Sequence, residues 1–554
     1  IIKNSDHWEA LAKRIQDRKY LEKKIEYLLE IISDKLSKVH EVKDNKEYWR
    51  IIVYNWLASY TTIIFYKWES IRIFFEKNND KDFYSNFLSF KELDYLTSDH
   101  NQFNTIAQED EWNHLIFLRI FNYLNIKNLQ LIRKENLKYD QIKDTLKAKQ
   151  SLSTSRKIIN LIDIALSKLA FNFNKVIFES FYFPKYEYLK ICIRCKLIPS
   201  KYTSFFDFHV KENSLPENNK RNRFRDLLSK IDNQDKFINF LLHSLYKDMP
   251  KSYLENFDSI KKRILPLAKK KKTIFSMYSL YLNDNFKIYI AETKKIGSKY
   301  IHTEHGGGFA SPHPFFNYFE EVSDKIITWK HEKKKNIFTQ LSPTLPIVKM
   351  KNNKPGENCS IIFCEYFKHL CKFYIGPGLD QSVNFFNEIS NFVNELNPEI
   401  KSKVKFRVKN SSVLKLEKKF SKMFGARHID KISAKNSFIK TILNSKLIIS
   451  TYGQTAFSEA MFSNIPTILI IKKNDWMFTE NSWHIFNILK ENKMAFEDFN
   501  EAKIHIHKHW KEIDKWWKLK NVQSARKEYL ANFFNVKSDW YKEWSDYVYL
   551  STSS

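Results

Sequence analysis

Glycine is scarce in this chain: nine residues in 554, beside 13 prolines and five cysteines. Few cysteines, odd in number, exclude a disulfide framework and point to a reducing compartment. Cys192 and Cys195 make one C-x-x-C. No second Cys/His pair lies close enough to complete a zinc site, so both read as buried thiols. Long apolar runs are missing as well. The most apolar stretch, "IIVYNWLASYTTIIFY" (51–66), is broken by Asn55, Ser59, Thr61 and Thr62 and is shorter than a spanning helix needs. No signal peptide is expected, and a cytoplasmic protein is expected. Arginine-rich stretches and recognisable nucleic-acid modules are absent, so no nucleic-acid partner is expected.

Against these shortages stand 43% hydrophobic and 16% aromatic residues, enough for real cores in two or three domains. The net charge of +29 would attract nucleic acid, anionic lipid or anionic small molecules. Lys, Asn, Ile and Phe abound where Gly and Pro are few, the bias of AT-rich coding, and that bias explains the charge equally well. The densest basic run, "AKKKKT" (268–273), is short.

Residues 1–170 read as helical. Leu21, Ile25, Leu28, Leu29, Ile32 and Leu36 share one face at helical spacing, and "EYWRIIVYNWLASYTTIIFYKWESIRIFFEK" (47–77) repeats large aromatics every three or four residues. From about 175 the period changes. "KVIFES" (175–180), "TIFSMYS" (273–279), "KIYIAE" (287–292), "KYIHTE" (299–304) and "KIITWKH" (325–331) read as short buried strands. A Pro/Asn/Lys/Gly-rich stretch, 341–360, reads as a linker. Beyond it, 356–475 alternates strand and helix as a βαβαβαβ unit. The resulting expectation is an α/β chain with a large helical N-terminal region and two Rossmann-like domains facing a cleft. Residues 1–345 form the first (helical 1–170, α/β 171–345), 346–500 the second, and 501–554 are C-terminal helices. In open α/β sheets ligands sit at the carboxyl ends of strands.

Six of the nine glycines fall in three loops at such ends: Gly306–Gly308, Gly376-Pro-Gly378 and Gly453. Glycine lets backbone N–H groups approach a ligand closely. In "LIISTYGQTAFSEAMFSNIPTILI" a strand runs into Thr451-Tyr-Gly453-Gln454-Thr455, and a helix follows. A helix N-terminus fed by a small polar loop can bind an anion. Glu459, one turn on, is placed to accept hydrogen bonds from ribose hydroxyls. In "YIHTEHGGGF" (300–309), His305 precedes three glycines. It is either a general base near neutrality or a turn histidine held by hydrogen bonds. Glu304 either orients His305 or serves itself as base or nucleophile, and His302 is a weaker candidate. In "KVKFRVKN" (403–410), Lys405, Arg407 and Lys409 alternate with apolar residues. The stripe is either a solvated face or, through Arg407 and Lys409, a phosphate contact. No D-x-D pair precedes a loop, and "HIHKH" (505–509) lacks a carboxylate or cysteine partner, so no metal is expected.

The loop-Thr-x3-Glu-Ala-Met-Phe-Ser-Asn-x-Pro pattern around Thr455 resembles the donor-binding domain of GT-B glycosyltransferases. "EYWRIIVYNWL" (47–57), "EWNHLIF" (111–117), "EHGGGF" (304–309) and "EEVSDKIITWKH" (320–331) precede it in order. Together they resemble a leptospiral-type transferase family of O-antigen and surface-polysaccharide loci over nearly the whole chain. That resemblance implies a metal-independent, cytoplasmic glycosyltransferase with a nucleotide-sugar donor and no cofactor. Its acceptor would be a glycan or lipid-linked glycan, with peripheral contact at the inner membrane. Gly306, Gly307, Gly308, Arg407, Lys409, Thr451, Gly453, Gln454, Thr455 and Glu459 would bind the donor, and His305, Glu304 and His302 would be the catalytic candidates. More distantly, the His-Gly-Gly loop resembles that of CDP-alditol polymerases, which leaves a polyol-phosphate transferase as one alternative and a non-catalytic assembly scaffold as another. The chain departs from the family pattern at Glu304, where Gln is expected. It also lacks the short strand expected upstream of residue 1, so the first sheet is expected to miss a strand.

Overall fold

Helix Lys46–Lys77 is buried on every side from Tyr48 to Phe65 and runs through the largest core, which explains both its aromatic density and its broken hydropathy. Asn45 caps it by accepting from the Tyr48 N–H at 3.0 Å. Helix Leu11–His40 covers it with the expected stripe, Leu21 to Leu36 all fully buried. No described helix is long and apolar enough to cross a membrane. This computed structural model describes residues 6–88, 95–134, 166–200, 205–208, 218–331, 336–344, 356–364, 368–409, 415–433 and 437–553. Most of the expected linker, 345–355, and part of the expected helical stretch, 135–165, lie outside them. The helical region also holds a parallel pair, β1 (Phe83–Leu88) and β2 (Leu129–Lys134), which its periodicity did not announce.

The first large sheet is parallel, in the order β3 (Val176–Glu179), β4 (Thr273–Ser276), β5 (Lys299–Thr303), β6 (Lys325–Thr328), β7 (Phe338–Gln340). Alternation splits its two faces, as the period of two requires. Ile177, Ile274, Tyr300 and Ile326 pack into the core of the helical region. Val176, Phe178, Phe275, Ile301 and Ile327 pack against Trp544 and Val548. One expected strand is absent: "KIYIAE" lies inside helix Asp284–Lys295. A short apolar run carries no period of its own. The Asn283 side chain, accepting from the Phe286 N–H at 3.0 Å, starts a helix there, and the run is buried on all sides.

The second sheet is also parallel, in the order β12 (Ala495–Phe496), β11 (Thr467–Ile470), β10 (Ser445–Ser450), β8 (Asn358–Cys364), β9 (Val404–Lys409). Its four longer strands are those read from the sequence; β12 adds a two-residue edge. The C-terminal helices divide between the sheets. Lys520–Phe533 packs Tyr529 and Phe533 into the second core. Trp540–Ser553 returns to the first sheet, where the Trp544 indole donates to the Ser342 carbonyl at 2.9 Å.

That return makes a prediction. Trp544→Ala removes a fully buried side chain and its hydrogen bond, and will lower unfolding free energy by about 3–5 kcal/mol. Tyr549→Ala, on the exposed side of the same helix, will change it by about 0.5 kcal/mol or less. Denaturant titration of both variants checks the contrast.

Candidate active site

The loops leaving the two central strands, β5 and β10, meet each other. The Gly307 N–H donates to Thr455 Oγ1 at 3.1 Å, and the Phe309 N–H donates to the Gly453 carbonyl at 2.9 Å. The Ala310 carbonyl accepts from the Thr479 N–H and Ser482 Oγ, both at 3.0 Å. Between these bonds the Phe309 ring enters the second core, 5.1 Å from Phe478 and 5.2 Å from both Tyr529 and Phe533. The carboxyl ends of the two sheets therefore face one another.

The three glycines serve this meeting by their lack of a side chain. A Cβ on Gly306 would lie 2.9 Å from Thr455 Oγ1, and one on Gly307 2.7 Å from the Trp329 ring. On Gly308 it would lie 2.2 Å from the Gly453 carbonyl oxygen. Gly453 is bound reciprocally, since its Cβ would stand 2.5 Å from the Phe309 ring. The glycines expected to cradle a ligand are filled instead, Gly306 and Gly308 by the opposing loop and Gly307 by Trp329 beyond β6. Gly376-Pro377-Gly378 is likewise occupied: the Gly376 carbonyl accepts from Arg14 Nη1 at 2.6 Å, and its Cβ position is closed by Trp476.

His305 is exposed at this junction, with its ring edge-on to Tyr278 and Tyr281 at 5.8 and 5.4 Å. Tyr281 is set in turn by His313. The Phe315 N–H donates to His313 Nδ1 at 3.1 Å, which leaves the proton on Nε2, 3.1 Å from the Tyr281 hydroxyl. His313 belongs to the same stretch as His305, yet sequence reasoning did not single it out. Burial holds its ring well below the usual imidazole range. His302 is no catalyst of this kind. It is buried and stacked on Phe319 at 3.8 Å, and burial, then the nearby His305, keep it neutral. Glu304 is committed to the first sheet. Its carboxylate accepts from Thr328 Oγ1 at 2.8 Å, the Trp329 N–H at 3.1 Å and Lys330 Nζ at 2.6 Å.

On the second sheet Gln454 and Thr455 start the helix Thr455–Phe462 at the junction, but Thr455 Oγ1 is already engaged by Gly307. Thr451 is buried, and its N–H and hydroxyl both donate to the Ile362 carbonyl, at 3.1 and 3.0 Å. Its place is structural. Glu459 lies one turn from Thr455 on the same helix face. It is half-buried, and burial pushes its carboxyl up to about 7. Arg407 is buried and not on a solvated face, 3.3 Å from Asp430 and over the Phe438 ring. It sits on the edge strand β9, two strands from β10. Lys409 ends that strand, and its side chain lies outside the described residues. Among the described residues no group of three or more His, Cys, Asp or Glu side chains can hold a metal ion; His505 packs against Trp516.

Residues 4–547 match the LIC12162 family transferase. The chain belongs to that family. Its members are transferases, so the two-sheet junction belongs to a group-transfer protein. A comparison with curated proteins finds no match. Among solved structures the chain is similar to S. aureus TarM (12% identity, 53% of this chain and 59% of that one, TM-score 0.34). It is similar also to the trehalose-6-phosphate synthase OtsA (10%, 68% and 98%, 0.33) and the wall teichoic acid polymerase TagF (12%, 76% and 99%, 0.33). The chain spans little more than half the length of TarM. These likenesses are low, and nothing below rests on them.

The loop contact predicts its own failure. Gly308→Ala places a methyl against backbone that cannot swing aside and will cost about 3 kcal/mol or more. Phe309→Ala will cost about 3–5 kcal/mol by emptying its place in the second core. Each sheet keeps its own core in both variants, so calorimetry should resolve two transitions where the parent protein gives one.

Proposed function

We propose that this transferase is a glycosyltransferase of the GT-B type, carrying a sugar from a nucleotide-activated donor to a surface-polysaccharide or lipid-linked glycan acceptor. The observation that carries the reading is the exposed imidazole of His305 where the carboxyl ends of two parallel sheets meet, beside the N-terminus of helix Thr455–Phe462. Glycosyl transfer needs a base for the acceptor hydroxyl and N–H donors or positive charge for the leaving phosphate. His305 supplies the base. The unpaired N–H groups of the first helical turn face the leaving diphosphate. Gln454 and Glu459 are the remaining donor contacts, since Thr451 and Thr455 are engaged within the chain. Charge balances without a further reactant: the acceptor oxygen bonds to the anomeric carbon as the bond to the diphosphate breaks, and the hydroxyl proton moves to His305.

Three measurements test this. Thermal shift with UDP, GDP, dTDP, CDP and CMP identifies the nucleotide. Turnover of the matching donor should fall about 10²–10⁴-fold in His305→Ala with unchanged nucleotide affinity and melting temperature. Glu304→Gln should keep most activity, because the carboxylate braces β6 and Lys330 and takes no proton. A comparable collapse in Glu304→Gln, or His305→Ala with full turnover, overturns the assignment. Product analysis separates sugar transfer from polyol-phosphate transfer.

Glu459 adds a pH test. Its folded value of about 7 lies above the ordinary 4.5. The folded state therefore favours the protonated form, and its contribution is lost as pH rises through about 7. Glu459→Gln removes that loss. Its melting temperature relative to the parent should rise between about pH 5 and pH 8, and nucleotide affinity should drop.

A further inference from the structure

A cavity of about 340 Å³ opens at the carboxyl ends of β3 and β4, on the same side of the first sheet as His302 and apart from the loop junction. Its deepest polar group is Glu179, the last residue of β3, which is 1% exposed. One carboxylate oxygen accepts from Ser279 Oγ at 3.0 Å and Ser180 Oγ at 3.2 Å. The other, Oε2, is buried without a hydrogen-bond partner. A buried orphan acceptor is costly and calls for an explanation. Ser180 is also held at φ 55°, in the left-handed region, with its hydroxyl 2.6 Å from Ser279. Strain of this kind collects at ligand sites.

The lining identifies the ligand class. Among the described residues it contains serine, asparagine and four carboxylates, and no lysine or arginine. In a chain of net charge +29 that is a local inversion. Four carboxylates work against a phosphate or nucleotide, which would meet like charge there. Asp284 is fully committed, accepting from the His100 N–H, Ser252, Tyr253 and Lys287 at 2.6–2.9 Å. Asp99 caps its helix by accepting from the Gln102 N–H at 2.8 Å and Asp207 is exposed, so Glu179 is the buried lining carboxylate with an oxygen left for a ligand. Asn285 donates to the Phe206 and Phe208 carbonyls at 2.9 and 2.8 Å, holding that segment against the cavity. Tyr278 lines the cavity and is edge-on to His305 at 5.8 Å. Aromatic rims with amide, hydroxyl and carboxylate groups suit the alternating apolar faces and hydroxyl edges of a sugar ring.

We infer that this cavity binds an uncharged sugar ring, the terminal residue of the acceptor, with Glu179 Oε2 accepting a hydrogen bond from one of its hydroxyls. Glu179 is a positioning residue: it fixes the ring so that a neighbouring hydroxyl reaches past Tyr278 to His305. The acceptor role rests on the glycosyltransferase reading; binding of the ring does not.

Saturation-transfer NMR on the full chain separates the two. The probes are methyl glucoside, methyl galactoside and N-acetylglucosamine, with glucuronate and glycerol 3-phosphate as anions of similar size. At least one neutral sugar should take up saturation and both anions should not. Glu179→Gln, which exchanges the orphan acceptor for a donor, and Asn101→Trp, which fills the mouth from an exposed position, should each weaken the signal tenfold or more. Nucleotide binding measured in the same samples should not change. Anions binding as well as neutral sugars, no neutral sugar binding, or undiminished binding in Asn101→Trp overturns the inference, even should Glu179→Gln fail to fold. Neutral sugars behaving as stated in a protein that binds no nucleotide would sink the transferase mechanism and leave a glycan-binding cavity.

Discussion

Two stretches of backbone share one volume at the centre of this protein, and most of the site follows from that. The Gly306–Ala310 segment lies on the Gly453–Thr455 turn so closely that neither can carry a side chain at the point of contact. Phe309 then crosses from one unit's loop into the other unit's core. A plug of this kind buries a large apolar ring and, through the hydrogen bonds at Gly307, Phe309 and Ala310, leaves the loop little freedom to turn. His305, one residue before the glycines, inherits its position from that register. A hinge between the two sheets has to work around Phe309, so relative motion is confined to what the plug tolerates.

The helical region braces the same junction from the side. Arg14 is buried, donating to the carbonyls of Gly376, Asn474 and Asp475 at 2.6, 3.3 and 3.1 Å. Arg18 donates to the His313 carbonyl at 2.9 Å, with its guanidinium over Phe316. Carbonyl oxygens are the partners in every case, so these arginines order loop backbone and neutralise little charge. A buried guanidinium is costly unless its donors are met, which makes such contacts sensitive to loop position. The chain from Arg18 through His313 and Tyr281 ends on the edge of the His305 ring.

Much of the architecture was legible because it rests on periods. The Leu21–Leu36 stripe, the strands ending at Glu179, Thr303 and Ser450, and the alternation of Val404, Phe406 and Val408 each carry a repeat that survives folding. The errors lie where no period exists: "KIYIAE" is too short to choose between helix and strand, and a capping Asn283 decides. The site was legible at His305 and in the glycine loops, but their purpose was not. Sequence cannot tell a glycine facing a ligand from one facing another loop, and here the opposing loop is 148 residues away at Thr455. Thr451 and Arg407 have the right chemistry for a donor site, yet Thr451 is bonded to the neighbouring strand at Ile362 and Arg407 is paired with Asp430. Glu179 was invisible because a glutamate ending a strand is ordinary until its second oxygen is found without a partner.

Three carboxylates, Glu304 and Glu459 at the junction and Glu179 in the cavity apart from it, show why residue type alone does not pick out a base. Glu304 is bound by Thr328, Trp329 and Lys330, so taking a proton would break an ion pair and several bonds at once. Glu179 and Glu459 are both pushed up to about 7 by burial. A carboxyl in that range can accept a hydrogen bond from a hydroxyl when ionised, and when protonated can stand beside a phosphate without repelling it. The first property suits Glu179 in a cavity with no lysine or arginine among its described lining residues, where the incoming group must bring the proton donor. The second suits Glu459 at the mouth of a helix N-terminus, where an ionised glutamate would oppose the leaving diphosphate. Neither needs to remove a proton from the reacting hydroxyl. That leaves His305, exposed at the junction, as the base in the proposed mechanism. On the proposed reading, separate environments let the cavity hold a sugar while the junction admits an anion and moves a proton, without the three groups competing.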